Sequence, residues 1–591
     1  MKRVAFNANP VLRLGLPAWR SRFVLFLLFA GFLALGARAM YLQGLFTDFL
    51  QKQGESRYAR TLELPPTRGK ISDRNGVVLA SSVPARAIWA IPEDVKASPA
   101  KQAELANLLG QPLRDVQRRL SNEDRTFVYL TRQVPIDVAE KIAALGIEGV
   151  HQQRETLRTY PEGEVVAHLL GFTNIESHGQ EGMELEYDAQ LAGQPGSRRV
   201  IKDRIGRVVE DVQAVREPVH GHDITMSIDS RIQYLAFSQL KAAVEEHNAK
   251  GGAAIVADAR TGEILALVNL PTYDPNQRAG LTGGQLRNRA LTDTFEPGST
   301  MKPFTVALAL ELGRIKPTST FDTGNGRLSF AGATITDVSR NGVLDTTGVL
   351  RKSSNIGMTL IQQSLEATEM WHKFNALGIG QAPRLGFPGA VAGRLRPFER
   401  WRPIEKATMA YGYGLSVSLV QLVHAYTAFA RNGDTVPLTF MKQLLPPTST
   451  QVYRPEIARL VRGMLEEAAG VDGSTLAQVT GYRVAGKSGT ARKIVNGAYS
   501  TSKYVGSFVG LAPVSNPRII VAVMLDEPSS GGYYGGRVAA PVFSSITSGA
   551  LRLLAVEPDA PFKSLVVPEA PLTTISTPQS PRAPAKPAGR T

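Results

Sequence analysis

Apolar and polar positions divide the chain into three textures, beginning with a membrane-type segment. Residues 1 to 22 carry Lys2, Arg3, Arg13, Arg20 and Arg22 and no acid, and Phe23 to Ala37 is then free of charge. A spanning helix needs about 20 apolar residues. Phe23 to Leu42 reaches that length if Arg38 snorkels to the interface. The basic flank places the N-terminus in the cytoplasm and the remainder across the membrane. Ala37-Arg38-Ala39 also resembles a signal-peptide cleavage site after an apolar run of suitable length. The long basic segment before it, and Tyr41, Leu42, Leu45 and Phe46 beyond it, favour an uncleaved anchor over 23–42 behind a cytoplasmic tail over 1–22.

The second texture, 43–222, is mixed. Asn75-Gly76 ahead of an apolar run signals a hairpin, Pro112 to Leu120 and Ile136 to Leu145 have the period of short amphipathic helices, and Gly171, Gly179, Gly182 and Gly196 mark a turn-rich stretch. It contains no catalytic constellation and reads as a spacer or docking module.

The third texture, 223–556, is that of an enzyme domain. Ile228 to His247 is helical in period, and Ala253 to Ala259 and Ile264 to Val268 form a hairpin across Arg260-Thr261-Gly262-Glu263. Tyr482 to Lys493, Val505 to Ala512 and Ile519 to Leu525 predict three further strands, with a largely helical block from Ser299 to about Gly470 between the two sets. Two strands before a helical block and three after it imply an α/β sandwich. Residues 557–591 hold eight prolines and few large apolar residues after Val567, a composition expected to stay disordered.

The length, 591 residues, suits two to four folded units. With 67 Lys+Arg against 52 Asp+Glu the net charge is +15. No zinc-ligand spacing, RNA-binding signature or long Lys/Arg run accompanies this excess, so it is assigned to a membrane surface and not to nucleic acid. There is no cysteine, which excludes disulfides and a thiol nucleophile. None of the eight histidines has metal-ligand spacing; no metal and no cofactor are expected.

The candidate chemistry lies in Phe295-Glu296-Pro297-Gly298-Ser299-Thr300-Met301-Lys302-Pro303-Phe304. A Pro-Gly turn before Phe304, Val306, Ala307, Leu308 and Leu310 predicts a buried helix that starts at Ser299, with Ser299 and Lys302 on one face. A hydroxyl beside an amine at a helix start suggests a nucleophile with its base. Spacing alone is weak, since Ser98 to Lys101 and Ser500 to Lys503 repeat it. Ser353-Ser354-Asn355 sits between the helical stretches Thr347 to Lys352 and Ile356 to Leu365, with a decoy at Ser339-Arg340-Asn341. Lys487-Ser488-Gly489-Thr490 falls on a predicted strand, where its glycine lets another backbone approach.

The ordered set SxxK, SxN, KSGT resembles the penicillin-binding proteins and serine β-lactamases. Arg68-Gly69-Lys70-Ile71-Ser72-Asp73-Arg74-Asn75-Gly76, Arg158-Thr159-Tyr160-Pro161 and Glu181-Gly182-Met183-Glu184 resemble the pedestal of class B penicillin-binding proteins. Ala410-Tyr411-Gly412-Tyr413-Gly414-Leu415-Ser416 and Tyr533-Tyr534-Gly535-Gly536 resemble the division-specific branch, the FtsI family, over its elongation counterpart.

The resemblance implies a DD-peptidase-like α/β fold: an antiparallel sheet of about five strands with a helical subdomain, behind a pedestal and a single transmembrane helix. It implies a peptidoglycan DD-transpeptidase in which Ser299 is acylated, Lys302 is the neutral base, Ser353 relays the proton, and Asn355 holds Lys302 and the substrate amide. Lys487, Ser488 and Thr490 would bind the terminal carboxylate, with Gly489 between them in the substrate-binding strand, the N–H groups of Ser299 and Thr490 would form the oxyanion hole, and Tyr504 and Tyr534 would wall the groove. Implied partners are peptidoglycan stem peptides and β-lactams, the inner membrane, a multi-spanning lipid II polymerase and other divisome proteins, with the catalytic domain in the periplasm. A β-lactamase is the competing enzyme reading; it is opposed by the absence of a Glu-x-x-Leu-Asn segment between Ser353 and Lys487 and by the anchor and pedestal. A catalytically silent β-lactam sensor or scaffold is the non-enzyme alternative.

Overall fold

The computed structural model describes residues 18–45, 59–121, 125–202 and 208–560. Helix α1, Ala18–Met40, continues as one wider turn over Tyr41–Leu45 and is long and apolar enough to cross a membrane. It starts five residues before the charge-free run because Arg20 and Arg22 extend the same helix. Of the expected cytoplasmic tail over 1–22, residues 1–17 lie outside the described residues and 18–22 belong to α1.

The chain divides into two compact units. The first runs to Ser227 and also takes in 272–286 and 386–388. Its strands are β1 Ala59–Leu64, β2 Ile71–Ser72, β3 Val78–Ala90, β4 Val128–Pro135, β5 Val150–Thr159, β6 Gly196–Lys202, β7 Val208–Arg216 and β8 Ile224–Thr225. β1, β6 and β7 form one sheet, and β3 is the centre of the other, pairing β2, β4 and β5. The hairpin turn at 73–76 forms as its residues predict: Asp73 Oδ1 accepts from Asn75 N and Val77 N, both at 2.8 Å, and Gly76 takes φ +90°, which a side chain would oppose. Helices α2 Pro99–Leu108, α3 Leu113–Leu120 and α4 Ile136–Ala144 cover β3 and β4 with a core of Ile88, Leu105, Val116, Leu130 and Ile142.

The three pedestal-like segments meet in a buried ion cluster. Arg68 Nε and Arg158 Nε each lie 2.7 Å from Glu184, and Arg68 also reaches Asp188 at 2.6 Å. Two guanidinium groups buried at one carboxylate are tolerated because each is paired.

The second unit is built on a five-stranded antiparallel sheet. Its hairpin, β9 Gly251–Asp258 and β10 Ile264–Leu270, follows helix α5, Ser230–Glu246. α5 is capped by Asp229, which accepts from Arg231 N at 3.1 Å, and it buries Ile232, Ala236, Leu240 and Ala243. The helical block includes α6 Lys302–Glu311, α7 Thr346–Arg351, α8 Asn355–Gln362 and α9 Leu419–Ala430. It also contains three two-stranded ribbons, such as Arg327–Phe330 with Ala333–Thr336, so it is less uniformly helical than its sequence predicts. Strands β11 Ala485–Val495, β12 Ala498–Ala512 and β13 Ile519–Asp526 and helix α10 Ala540–Leu553 complete the unit. The sheet order is β10-β9-β13-β12-β11. Every residue of β9 and β13 is buried, because helices cover both faces of the sheet. That leaves β11, at the sheet edge, open to receive other elements.

The Pro-rich tail expected from 557 begins in ordered chain. Asp559 accepts from Arg483 N at 2.7 Å and Ser515 N at 3.0 Å, so the polypeptide stays pinned to the unit after α10. Residues 561–591 lie outside the described residues.

Candidate active site

Three segments far apart in sequence converge at the edge strand β11. The first is the turn that holds Ser299. Residues Gly298–Met301 form a 3-10 turn and the α-helix begins at Lys302, which corrects the expected helix start at Ser299. Gly298 takes φ +56°, and Pro303 supplies no N–H for an earlier α-type bond. In a 3-10 turn residues three apart eclipse, so Ser299 and Lys302 share a face more directly than in an α-helix. The turn is held from outside: Gly298 N donates to Gly412 O at 3.1 Å and Tyr426 Oη donates to Thr300 O at 2.9 Å. Ser299 is half-buried, while Thr300, Met301 and Lys302 are buried.

Lys302 is 0% exposed. Its Nζ donates to Ser353 O at 2.5 Å and lies 3.2 Å from Ser353 Oγ. Burial pushes its pKa well below the ordinary lysine value, the charge of Lys487 pushes the same way, and Asp337 opposes them. Burial and the neighbouring lysine both disfavour the charged ammonium form.

Ser353 comes from the loop between α7 and α8 and has φ +55°, a region unfavourable for a non-glycine residue and held only where neighbours over-determine it. The holding group is Asp337, which no sequence pattern singled out. Its carboxylate accepts from Ser354 Oγ at 2.5 Å, Asn355 N at 2.6 Å and Ile356 N at 3.0 Å. Ser354 Oγ also caps α8 by accepting from Gly357 N at 2.8 Å. Asn355 Nδ2 donates to Thr336 O at 3.1 Å; its hydrogen bond within the chain is therefore to the adjoining ribbon and not to Lys302.

The third segment is β11. Lys487 is 3% exposed, its Nζ donates to Ser488 O at 3.3 Å, and burial lowers its pKa to about 8. Gly489 has no room for a side chain: a Cβ there would lie 2.6 Å from Ser507 Oγ, 2.7 Å from Pro297 O and 2.9 Å from Thr300 Cγ2. The missing side chain is what lets the Ser299 turn lie against the strand. Tyr413 Oη donates to Thr490 O at 3.2 Å, and Thr490 Oγ1 accepts from Gly535 N at 3.0 Å.

Ser488, Thr490 and Tyr534 line an open groove of about 610 Å³ together with Ser474, Thr475 and Arg537. Tyr504 stands apart from the groove lining. It stacks on Tyr533 at 3.9 Å, and Tyr533 stacks on Tyr534 at 4.6 Å. Arg492, opposite Tyr504 in the ladder, is exposed. Besides Asp337, the structure adds Ser474 and Arg537, neither of which stands in a motif that marks it, and it gives Tyr413, quoted above only for its family likeness, a contact with the motif strand. The decoys have local work. Ser98 caps α2, accepting from Lys101 N at 3.4 Å, and Ser500 lies on β12, accepting from Lys503 N at 3.1 Å.

Comparison with known proteins gives the family. Residues 252–548 match the penicillin-binding protein transpeptidase domain, and 63–226 match the penicillin-binding protein dimerisation domain. The chain is 43% identical over 553 residues to the probable peptidoglycan D,D-transpeptidase PenA of Neisseria gonorrhoeae, covering 93% of this chain and 95% of the relative. It is 40% identical to the peptidoglycan D,D-transpeptidase FtsI of Escherichia coli, covering 88% and 90%. The structure of the transpeptidase domain of Burkholderia pseudomallei penicillin-binding protein 3 aligns at 54% identity and TM-score 0.53, covering 57% of this chain and 98% of that one. Penicillin-binding protein 3 of Mycobacterium tuberculosis, solved with aztreonam, aligns at 28% identity and TM-score 0.66, covering 85% and 99%. With both domain models matched in order and such relatives aligned along most of its length, the chain belongs to the penicillin-binding protein transpeptidases.

Proposed function

We propose that this serine D,D-transpeptidase cross-links peptidoglycan stem peptides at the division septum and is acylated by β-lactams at Ser299. The observation that carries the reading is Lys302, buried, depressed in pKa and facing the Ser353 hydroxyl. Ser299 Oγ attacks the carbonyl of the penultimate D-Ala while neutral Lys302 takes its proton. The C–N bond breaks, Ser353 passes a proton to the leaving D-Ala amine, and an ester to Ser299 remains. The amine of a neighbouring stem then attacks that ester, forming the cross-link and returning the hydroxyl. Lys487, Ser488 and Thr490 hold the terminal carboxylate by charge-assisted bonds. Asn355 faces the substrate amide, and the backbone N–H groups of Ser299 and Thr490 stabilise the oxyanion, where one donor is worth about 3 kcal/mol. Tyr534 walls the groove, with Tyr504 behind it in the stack.

Helix α1 supports a single-pass anchor in the inner membrane with the catalytic unit in the periplasm. Residues 63–226 match the penicillin-binding protein dimerisation domain, and this reading pairs the enzyme with a multi-spanning lipid II polymerase and other divisome proteins.

Labelling with fluorescent penicillin tests the proposal. Ser299→Ala is expected to abolish the adduct, while Ser98→Ala and Ser500→Ala label like the wild type. Removing a nucleophile that works as a unit with its base costs about 10⁶-fold. Labelling that survives Ser299→Ala, or an adduct that turns over rapidly by hydrolysis, would refute it.

A further inference from the structure

The groove beside Ser488 and Thr490 holds one charged side chain, Arg537, to which the reaction above gives no task. Arg537 lies on the short helix Gly535–Val538, whose start is clamped to the catalytic strand. A Cβ at Gly535 would lie 2.1 Å from Gly489 O and 2.2 Å from Ser507 O, and Gly535 N donates to Thr490 Oγ1. At the next residue, Gly536, a Cβ would lie 3.7 Å from Ser488 Cβ and 3.8 Å from Ser488 Oγ. Arg537 therefore leaves a backbone in register with the motif strand.

Its side chain is exposed and makes no ion pair with any described residue. Ser474 Oγ lies 3.4 Å from Ser488 Oγ, so the groove gathers the hydroxyls of Ser474, Thr475, Ser488 and Thr490 and a guanidinium, and no acid lines it. Lys487 is buried and points its ammonium at Ser488 O; the charge that a ligand in the groove meets openly is that of Arg537. A planar fork of donors beside several hydroxyls matches a carboxylate.

We propose that Arg537 binds a carboxylate of the stem peptide and is a specificity-determining residue of this enzyme. The inference rests on the reading of the groove as the peptide site. The carboxylate belongs either to the terminal D-Ala of the donor or to the amino acid that presents the acceptor amine.

Full-length protein in detergent, with Arg537→Gln, Arg537→Lys and Arg537→Glu, distinguishes the two sources. Benzylpenicillin and its neutral methyl ester probe the donor side; D-alanine and D-alaninamide, as acceptors from a thioester-derived acyl-enzyme, probe the acceptor side. For a donor carboxylate, acylation by benzylpenicillin falls about tenfold in Arg537→Gln, further in Arg537→Glu, is largely rescued in Arg537→Lys, and the methyl ester is unaffected. For an acceptor carboxylate, acylation is unchanged and transfer to D-alanine falls while transfer to D-alaninamide holds. No change with any probe, or equal losses with charged and neutral probes, overturns the proposal. Failure of the wild type to acylate at Ser299 would instead overturn the catalytic reading. Arg537 is then decided by saturation transfer from N-acetyl-D-Ala-D-Ala, which Arg537→Glu should lose if the proposal holds and retain if it does not.

Discussion

Lys302 and Lys487 sit on different elements, yet the charge of Lys487 helps to set the chemistry of Lys302. Burial is the main cause that loosens the proton of Lys302, the charge of Lys487 is the second, and Lys487 is itself lowered by burial to about 8. The proposed reaction gives the two opposite tasks: in it Lys302 must be neutral to accept a proton, and Lys487 must be charged to hold a carboxylate.

Acylation is therefore expected to rise with pH as Lys302 loses its proton and to fall again near pH 8 as Lys487 loses its charge. Lys487→Gln removes a neighbouring cation, so the pKa of Lys302 should rise and the ascending limb should move to higher pH. Stopped-flow acylation against pH reads both limbs; an ascending limb that stays in place would separate the two lysines. Stability has its own sign. Between its lowered pKa and 10.5 each lysine binds fewer protons folded than unfolded, so resistance to urea should increase with pH across that interval.

Asp337 is expected to act through Ser353. Its replacement by Ala removes the acceptor for Ser354 Oγ, Asn355 N and Ile356 N and should cost about 3 kcal/mol. The strained φ of Ser353 should relax and acylation should slow by about 10²-fold, the scale of a misplaced catalytic group. Unchanged acylation kinetics in a folded Asp337→Ala protein would remove Asp337 from the site.

Gly489→Ala should separate the nucleophile turn from β11. The added methyl meets Pro297 O at 2.7 Å and Ser507 Oγ at 2.6 Å, and overpacking of this kind costs about 1–3 kcal/mol. Penicillin labelling should be lost at temperatures where circular dichroism still reports a folded protein.

In the first unit, Glu184→Ala would leave Arg68 and Arg158 facing each other without their shared carboxylate. Breaking a buried pair from one side costs about 3–5 kcal/mol. Denaturation followed by the fluorescence of Trp89, which lies in β3, should show the first unit melting early. A loss below about 1 kcal/mol, the range of an exposed pair, would contradict the burial assigned to this cluster.

Much of this molecule is determined locally. The charge-free run from Phe23, the Asn75-Gly76 turn, the hairpin after Asp229, and the SxxK, SxN and KSGT motifs each depend on neighbours within a few residues, and period and turn chemistry suffice to place them. The start of the helix at Lys302 was less legible, because a 3-10 turn and the first turn of an α-helix have nearly the same local signals.

What tertiary structure alone decided is the pairing across distance. Asp337 stands in a turn-rich stretch with nothing to mark it, and it becomes the support of Ser353 only because a ribbon folds back over α8. Arg537 is an ordinary surface arginine in sequence, and it enters the groove because two glycines let its backbone press on the motif strand. The lowered pKa of Lys302 is likewise not a property of its spacing from Ser299. It follows from burial and from a second lysine 185 positions away in the chain, 487 against 302, because electrostatic energy depends on distance and surroundings in the folded state and not on order along the polypeptide.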